Sequence, residues 1–264
     1  MKQTDHDKAA ERARYDLRAG TIIDSGRIEQ LGLDGAEGVP EGLRAPYLAY
    51  ENHVRRHARP GISFLDVCCG NGLHSLTAAR CGATVTVTDI APRNVELTLV
   101  RAARAGFTLA GTAADAEQLP YPDGSFDVVT CAGSLSYVDL ERFLDEITRI
   151  LRPGGGFIFV DWLNHNPIYR LNRWRHYRRG ERSLSTLRRM PTIGTLQRIS
   201  RRFPDLQVSY HGLFSFLFPF LKLLGLERTP LDGRWLFPWL SRYAFKIVGI
   251  CHKPGKRVDL LFFQ

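Results

Sequence analysis

From Ile62 onward the chain alternates between two hydrophobic periods. The runs "ISFLDV" (62–67), "ATVTVTDI" (83–90), "TLAGTAAD" (108–115), "SFDVVTCAG" (125–133) and "GFIFVDWL" (156–163) are short, apolar and mostly rich in β-branched or aromatic residues, and each reads as a strand. Between them lie helical stretches with readable ends. "LHSLTAARCG" (73–82) closes on Gly82, and "PRNVELTLVRAARAG" (92–106) carries proline in its first turn and ends on Gly106. "DLERFLDEITRILRPGG" (139–155) has an aspartate cap and a proline–glycine stop. Strands alternating with helices imply a parallel sheet. Two last strands, "DLQVSYHGLF" (205–214) and "YAFKIVGICHKP" (243–254), flank an apolar stretch, and the first 60 or so residues read as helical and turn-like pieces. No repeat or low-complexity linker interrupts the pattern, which predicts one domain carrying an insertion.

Composition narrows the class. The 264 residues are 44% hydrophobic and 24% charged, enough apolar material for one sizeable core. No run of 18 apolar residues occurs, and the N-terminus is of mixed charge without an apolar core, so neither a membrane span nor a signal peptide is expected. Five cysteines, an odd number set mostly in or beside apolar runs, predict free thiols in a reducing cytoplasm. A metal site is disfavoured, because adjacent Cys68 and Cys69 would point to opposite faces of a strand. The net charge of +9 is local: Pro167 to Phe203 holds eleven arginines against one acid, Glu181, a net +10 that leaves the remainder at −1. That basicity calls for a local explanation rather than a general affinity for polyanions.

The densest chemistry lies in "FLDVCCGNGLHSLTAARCGATVTVTDI", Phe64 to Ile90. A dinucleotide fingerprint needs three glycines, and Gly70-Asn71-Gly72-Leu73-His74-Ser75 lacks the third. Asp66 at the mouth of the loop would also oppose a pyrophosphate. A cationic ligand would welcome it. S-adenosylmethionine carries an α-amino group, a sulfonium and a ribose diol, and Asp66 with Asp89, 23 residues on, offers an acid near each end. Asp89 and Asp115 taken singly would serve equally as helix caps. Their occurrence at the ends of successive strands, where open parallel sheets bind ligands, favours the cofactor.

At these residues the chain resembles the class I S-adenosylmethionine-dependent methyltransferases, in the small-molecule branch of the ubiquinone and menaquinone biosynthesis enzymes. The resemblance is firm from Tyr47 to Asp161. It implies an α/β, Rossmann-like fold with a seven-stranded, mostly parallel sheet, helices on both faces and an antiparallel last strand. Residues 1–60 would form an N-terminal helical cover and 61–264 the methyltransferase domain, with the basic insertion at about 163–203. The glycine-rich acidic motif maps onto Asp66, Cys68, Gly70 and Gly72, with Cys68 where the family usually has its first glycine. The ribose acid maps onto Asp89, followed by Ile90, and the adenine-edge acid onto Asp115, followed by Ala116, in "AADAEQLPYPDGSFDVV". Cys131 to Tyr137 would flank the methionine moiety and face the acceptor, and Tyr15 would lie on a helix covering the cofactor.

Methyl transfer is a direct displacement, in which positioning carries much of the barrier. The expected activity is O-methylation of a small molecule in natural-product, quinone or sugar metabolism, with N- or C-methylation of a lipophilic or anionic metabolite as the alternative. His165 and Asp161, past strand five, are candidates for base and partner, with Tyr137 past strand four; each reads equally as a turn or packing residue. Arg170, Arg173 and Arg175 are candidates for an anionic acceptor, against the plainer reading of a solvated basic face. The apolar stretches "GLFSFLFPFLKLLGL" and "WLFPWL" read as core, as homodimer contacts, or as a lipophilic pocket or membrane-surface patch. An RNA methyltransferase is suggested only by the arginines, and "AGSLSY" after strand four lacks the Asn/Asp-Pro-Pro-aromatic signature of amine-methylating nucleic-acid enzymes. A non-catalytic cofactor-binding protein is the third class.

Overall fold

The computed structural model describes residues 5–30, 39, 41–179, 184–226 and 238–255. Seven strands form one sheet in the order β3-β2-β1-β4-β5-β7-β6. They are β1 (Ser63–Val67), β2 (Thr84–Asp89), β3 (Ala110–Ala113), β4 (Phe126–Ala132), β5 (Leu151–Trp162), β6 (Gln207–His211) and β7 (Lys246–His252). β1 to β5 pair in parallel, and β7 runs antiparallel to both β5 and β6.

The apolar strand runs are explained by burial on both sides. In β1, Phe64 faces one core while Leu65 and Val67 face the other; in β5, Ile158 and Val160 share the first core, and Phe157 and Phe159 the second. Against the Leu65 face pack α5 (Leu140–Ile150) and α8 (Ile193–Arg202). α5 buries Leu140, Phe143, Leu144, Ile147 and Ile150, one helical stripe, and is capped by Asp139 accepting from the Arg142 N–H at 3.3 Å. Against the Phe64 face pack α2 (Ala45–His57), α3 (Leu73–Arg80) and α4 (Pro92–Arg104). α1 (Asp5–Asp24) lies along α4, where Ala19 meets Leu97 and the Arg93 N–H donates to Asp16 at 2.9 Å.

One boundary differs from the sequence reading. Leu151 to Gly155, assigned to the helix stop, already belong to β5, because Leu151 pairs with Phe126 before a register shift delivers Gly156 to Val128. The arginine-rich segment forms α6 (Pro167–Arg178), α7 (Leu184–Arg189) and α8; Glu181 and Arg182 lie outside the described residues. Part of its charge is neutralised at home: Arg202 pairs with Asp145 at 2.5 Å and Arg198 with Glu141 at 3.6 Å, both acids on α5. The stretch 212–226 is split by its short helix α9 (Phe218–Leu223). Ser215 and Phe218 line an internal cavity, whereas Phe220, Leu223 and Leu224 are exposed. Trp235 to Phe237 lie outside the described residues, and Trp239 is exposed. All five cysteines are free, and no helix among the described residues is long and apolar enough to cross a membrane.

Candidate functional site

The loop after β1 shows what its unusual residues are for. Cys68 sits at φ 58, and among the described residues it is the one non-glycine residue at positive φ. It holds the left-handed conformation that glycine adopts freely, which explains a glycine at that position in the family it resembles. Gly70 (φ 56) and Gly72 (φ 72) have separate duties. A Cβ on Gly72 would come within 2.5 Å of Thr98 on α4, so that glycine lets α3 and α4 approach. A Cβ on Gly70 would meet no protein atom within 4 Å, because that glycine borders a cavity. The loop is tied down by three contacts: Thr98 Oγ1 donates to the Gly70 carbonyl at 3.2 Å, Arg101 to the Asn71 carbonyl, and the Gly70 N–H to Asp89 Oδ2 at 3.0 Å.

Asp89 ends β2 and is buried. Its Oδ1 accepts from the Ala91 N–H at 2.9 Å, so one carboxylate fixes both the glycine loop and the start of α4. Burial pushes its pKa up, against the pull of those N–H donors. Asp89 nonetheless lines a cavity of about 170 Å³ with Ile90, Asn94, Cys68, Gly70, Gly133, Ser134, Tyr137 and, from α1, Lys8, Glu11 and Tyr15. The Asn94 side chain, which lines the same cavity, is a third donor to this carboxylate. Tyr15 and Tyr137, both on its lining, meet edge to face with ring centres 6.0 Å apart.

Other predicted residues serve the site from behind. Asp66 is buried under the loop; Ser75 and Thr130 hydroxyls donate to it at 2.5 and 2.9 Å, and burial raises its pKa. Cys131 and Ala116 belong to the core. Asp115 is held by Lys8 at 2.5 Å and reaches the cavity only through that lysine. Asp161 is fully buried at the end of β5 and accepts from the Leu135 and Trp162 N–H groups at 2.8 and 2.6 Å, so it positions the 133–137 segment. His165 is half-buried and does not line the cavity of Asp89. Its Nε2 accepts from the Ile193 N–H at 2.9 Å at the start of α8, a capping duty that occupies the basic nitrogen. Of the three arginines, Arg170 and Arg175 are exposed on α6, while Arg173 lines a cavity and donates to Asn164 at 2.8 Å.

The residues that sequence reasoning missed form the continuation of the site. At Cys68, Gly70, Ala132 and Gly133 the first cavity adjoins a second of about 220 Å³, reaching Asp66, Tyr47, His74, Trp162 and Lys246. His74 Nδ1 lies 3.7 Å from the buried carboxylate of Glu51. Against a burial that raises it, His74 and Arg55 hold the Glu51 carboxyl below the usual carboxylate range. Trp162 is then shared with a third cavity of about 340 Å³, walled by Leu43, Tyr169, Met190, Phe218 and Phe245, with Arg173 its one charged residue. A histidine one helical residue past the glycine loop was the available signal for His74; nothing local marked Lys246.

Comparison with known proteins fits this geometry. Residues 65–159 match the family described as a methyltransferase domain. An uncharacterized protein of Mycobacterium tuberculosis is 40% identical over 104 residues, 39% of this chain and 38% of that protein. A sterol 4-C-methyltransferase of Caenorhabditis elegans is 36% identical over 120 residues, 44% of this chain and 36% of that one. A ubiquinone biosynthesis O-methyltransferase of Rhizobium leguminosarum is 33% identical over 165 residues, 55% of this chain and 65% of that one. The chain thus spans less than two thirds of the length of these curated relatives. Among solved structures, the [4+2]-cyclase SpnF superposes with a TM-score of 0.60 at 18% identity, covering 92% of this chain and 94% of that one. A geranyl diphosphate methyltransferase in complex with GPP and sinefungin gives 0.58 at 17% identity, covering 79% and 78%. Residues 65–159 thus carry the match to a methyltransferase domain, and the Rossmann-like fold around them is the one these solved structures share.

Proposed function

We propose that the protein transfers a methyl group from S-adenosylmethionine to an oxygen of a small, lipophilic acceptor. The observation that carries this reading is the line of three adjoining cavities across the carboxyl edge of the sheet: acid-lined at β2 and β1, basic and aromatic at the middle, apolar beyond Trp162. Asp89, Gly70, Gly133, Asn94 and Tyr15 would hold the donor, with Gly70 bare where backbone must approach it. Bound there, S-adenosylmethionine supplies an electrophilic methyl on a positive sulfonium, a charge that the carboxylates of Asp66 and Asp89 favour and that a pyrophosphate lacks. His74 replaces His165 as the base in this reading. The Glu51 carboxylate lies 3.7 Å from its Nδ1, within Coulombic reach though beyond a hydrogen bond, and the ring borders the middle cavity where an acceptor hydroxyl would lie. The proton taken from that hydroxyl rests on the imidazolium beside the Glu51 carboxylate. The apolar third cavity favours a natural-product or quinone-like acceptor over a sugar.

Methyl transfer to a panel of hydroxylated aromatic and long-chain acceptors, followed by product mass and fragmentation, tests the reading. Methyl ethers are expected, with single-turnover rates falling about 10²- to 10⁴-fold in His74→Gln while S-adenosylhomocysteine affinity is kept. Products methylated only at carbon or nitrogen would overturn the oxygen assignment, and an unchanged His74→Gln rate the base.

A further inference from the structure

Lys246 opens β7, paired across the sheet with Trp162 on β5 and His211 on β6. It is 2% exposed, yet its Nζ makes no hydrogen bond or ion pair among the described residues; instead it lies 3.9 Å from the Trp162 ring centre and 4.5 Å from that of Tyr47. Two buried carboxylates are near: Asp161, which feels the Lys246 charge without a direct contact and is committed to two backbone N–H groups, and Asp66, which lines the same cavity but is held by the Ser75 and Thr130 hydroxyls. Two aromatic faces recover only part of the hydration that the ammonium gives up on their side, and its other side faces the cavity. The remaining demand is for an anion, and the side chain borders the middle cavity where one would sit.

Position decides which anion. Along the sheet order the donor residues belong to β2, β1 and β4, whereas Lys246 stands at β7, beyond β5. An acceptor aligned with the sulfonium must lie on that far side. Past Trp162 the apolar cavity follows, and Arg173 lies on the same ring at 5.9 Å. We propose that Lys246 anchors the acidic head of an amphiphilic acceptor, a monoanion such as a carboxylate or an ionised enol or phenol, whose hydrocarbon tail fills the cavity of Tyr169, Met190, Phe218 and Phe245. The inference rests on the methyl-transfer reading above and names its substrate class.

The test is titration calorimetry on protein saturated with S-adenosylhomocysteine, using decanoate and decanol as probes of equal chain length. The parent is expected to bind decanoate at least about tenfold more tightly than decanol, and Lys246→Met to erase that preference while decanol and S-adenosylhomocysteine affinities stay within about twofold. Equal binding of the two probes by the parent would overturn the proposal even if Lys246→Met failed to fold. So would a preference that survives in Lys246→Met. A loss of S-adenosylhomocysteine affinity in that variant would assign the ammonium to the donor's own carboxylate and equally overturn it. Failure of the parent to bind S-adenosylhomocysteine would instead refute the methyl-transfer reading itself.

Discussion

Gly70 and Gly72 occupy the same loop at nearly the same φ, yet alanine at each should fail in a different measurement. At Gly72 two costs add. The left-handed conformation disfavours a side chain by about 1–2 kcal/mol. A Cβ 2.5 Å from Thr98 Cγ2 and 2.7 Å from Thr98 Oγ1 forces α3 and α4 apart. Such overpacking costs about 1–3 kcal/mol, so Gly72→Ala should lose roughly 2–5 kcal/mol, on the order of 5–15 °C in melting temperature. At Gly70 only the conformational cost applies, because no protein atom lies within 4 Å of the new Cβ. That Cβ projects toward the space claimed for the donor, so Gly70→Ala should lose about tenfold or more in S-adenosylhomocysteine affinity with no more than about 2 kcal/mol of stability. Urea unfolding and titration calorimetry on both variants separate the effects. Parent-like ligand affinity in Gly70→Ala, or stability within about 1 kcal/mol of the parent in Gly72→Ala, would refute the division of duties.

Three further outcomes follow from neighbouring residues. Cys68→Gly, which relieves the left-handed residue at φ 58 while loosening the unfolded chain, should leave stability within about 1 kcal/mol, whereas the β-branched Cys68→Val should cost about 2 kcal/mol or more, both read by urea unfolding. His165→Ala should cost about 1–3 kcal/mol by orphaning the Ile193 N–H, with S-adenosylhomocysteine affinity unchanged; a loss of affinity without a loss of stability would restore His165 to the site. His252 donates its backbone N–H to Asp205 and lies 2.7 Å from it through Nδ1, holding that carboxyl below its ordinary range against a burial that raises it. A depressed folded pKa contributes stability above the unfolded value near 3.9 and loses it as pH falls through the folded value, so Asp205→Asn should flatten the acid limb of stability against pH. An acid limb as steep as the parent's would contradict that.

The glycine loop and the cavity beside it were legible because their instructions are local. A left-handed loop asks for glycine, a strand-end carboxylate gathers nearby N–H groups, and Asp66, Gly70, Gly72 and Asp89 all fall within 24 residues. The strands were legible because burial on both faces leaves long apolar runs such as Phe157 to Val160. The β5 boundary was not, since the pairing of Leu151 with Phe126 outweighs the proline–glycine signal two residues on. The two further cavities depend on long-range meetings. His74 acquires its carboxylate from Glu51 on α2, and Lys246 reaches Trp162 only because β7 folds back antiparallel across 84 positions of chain. The partner of His165 was out of reach for the same reason: the N–H that donates to it belongs to Ile193, 28 residues on. The eleven arginines looked like one feature, and the fold gives several of them separate duties: Arg198 and Arg202 pair with acids of α5, Arg189 donates to the Ser136 carbonyl, Arg170 and Arg175 are exposed on α6, and Arg173 lines a cavity.

The central claim is that the acid-lined cavity at the ends of β1, β2 and β4 receives S-adenosylmethionine. Titration calorimetry of the parent and Asp89→Ala with S-adenosylhomocysteine, set beside a nicotinamide dinucleotide, addresses it most directly. The account predicts one site in the parent, no dinucleotide binding, and a loss of roughly 1.5–3 kcal/mol in Asp89→Ala, about 10- to 150-fold, from a charge-assisted ribose contact and a loosened Gly70 loop. Parent-like affinity in Asp89→Ala, or binding of the dinucleotide in place of S-adenosylhomocysteine, would contradict it.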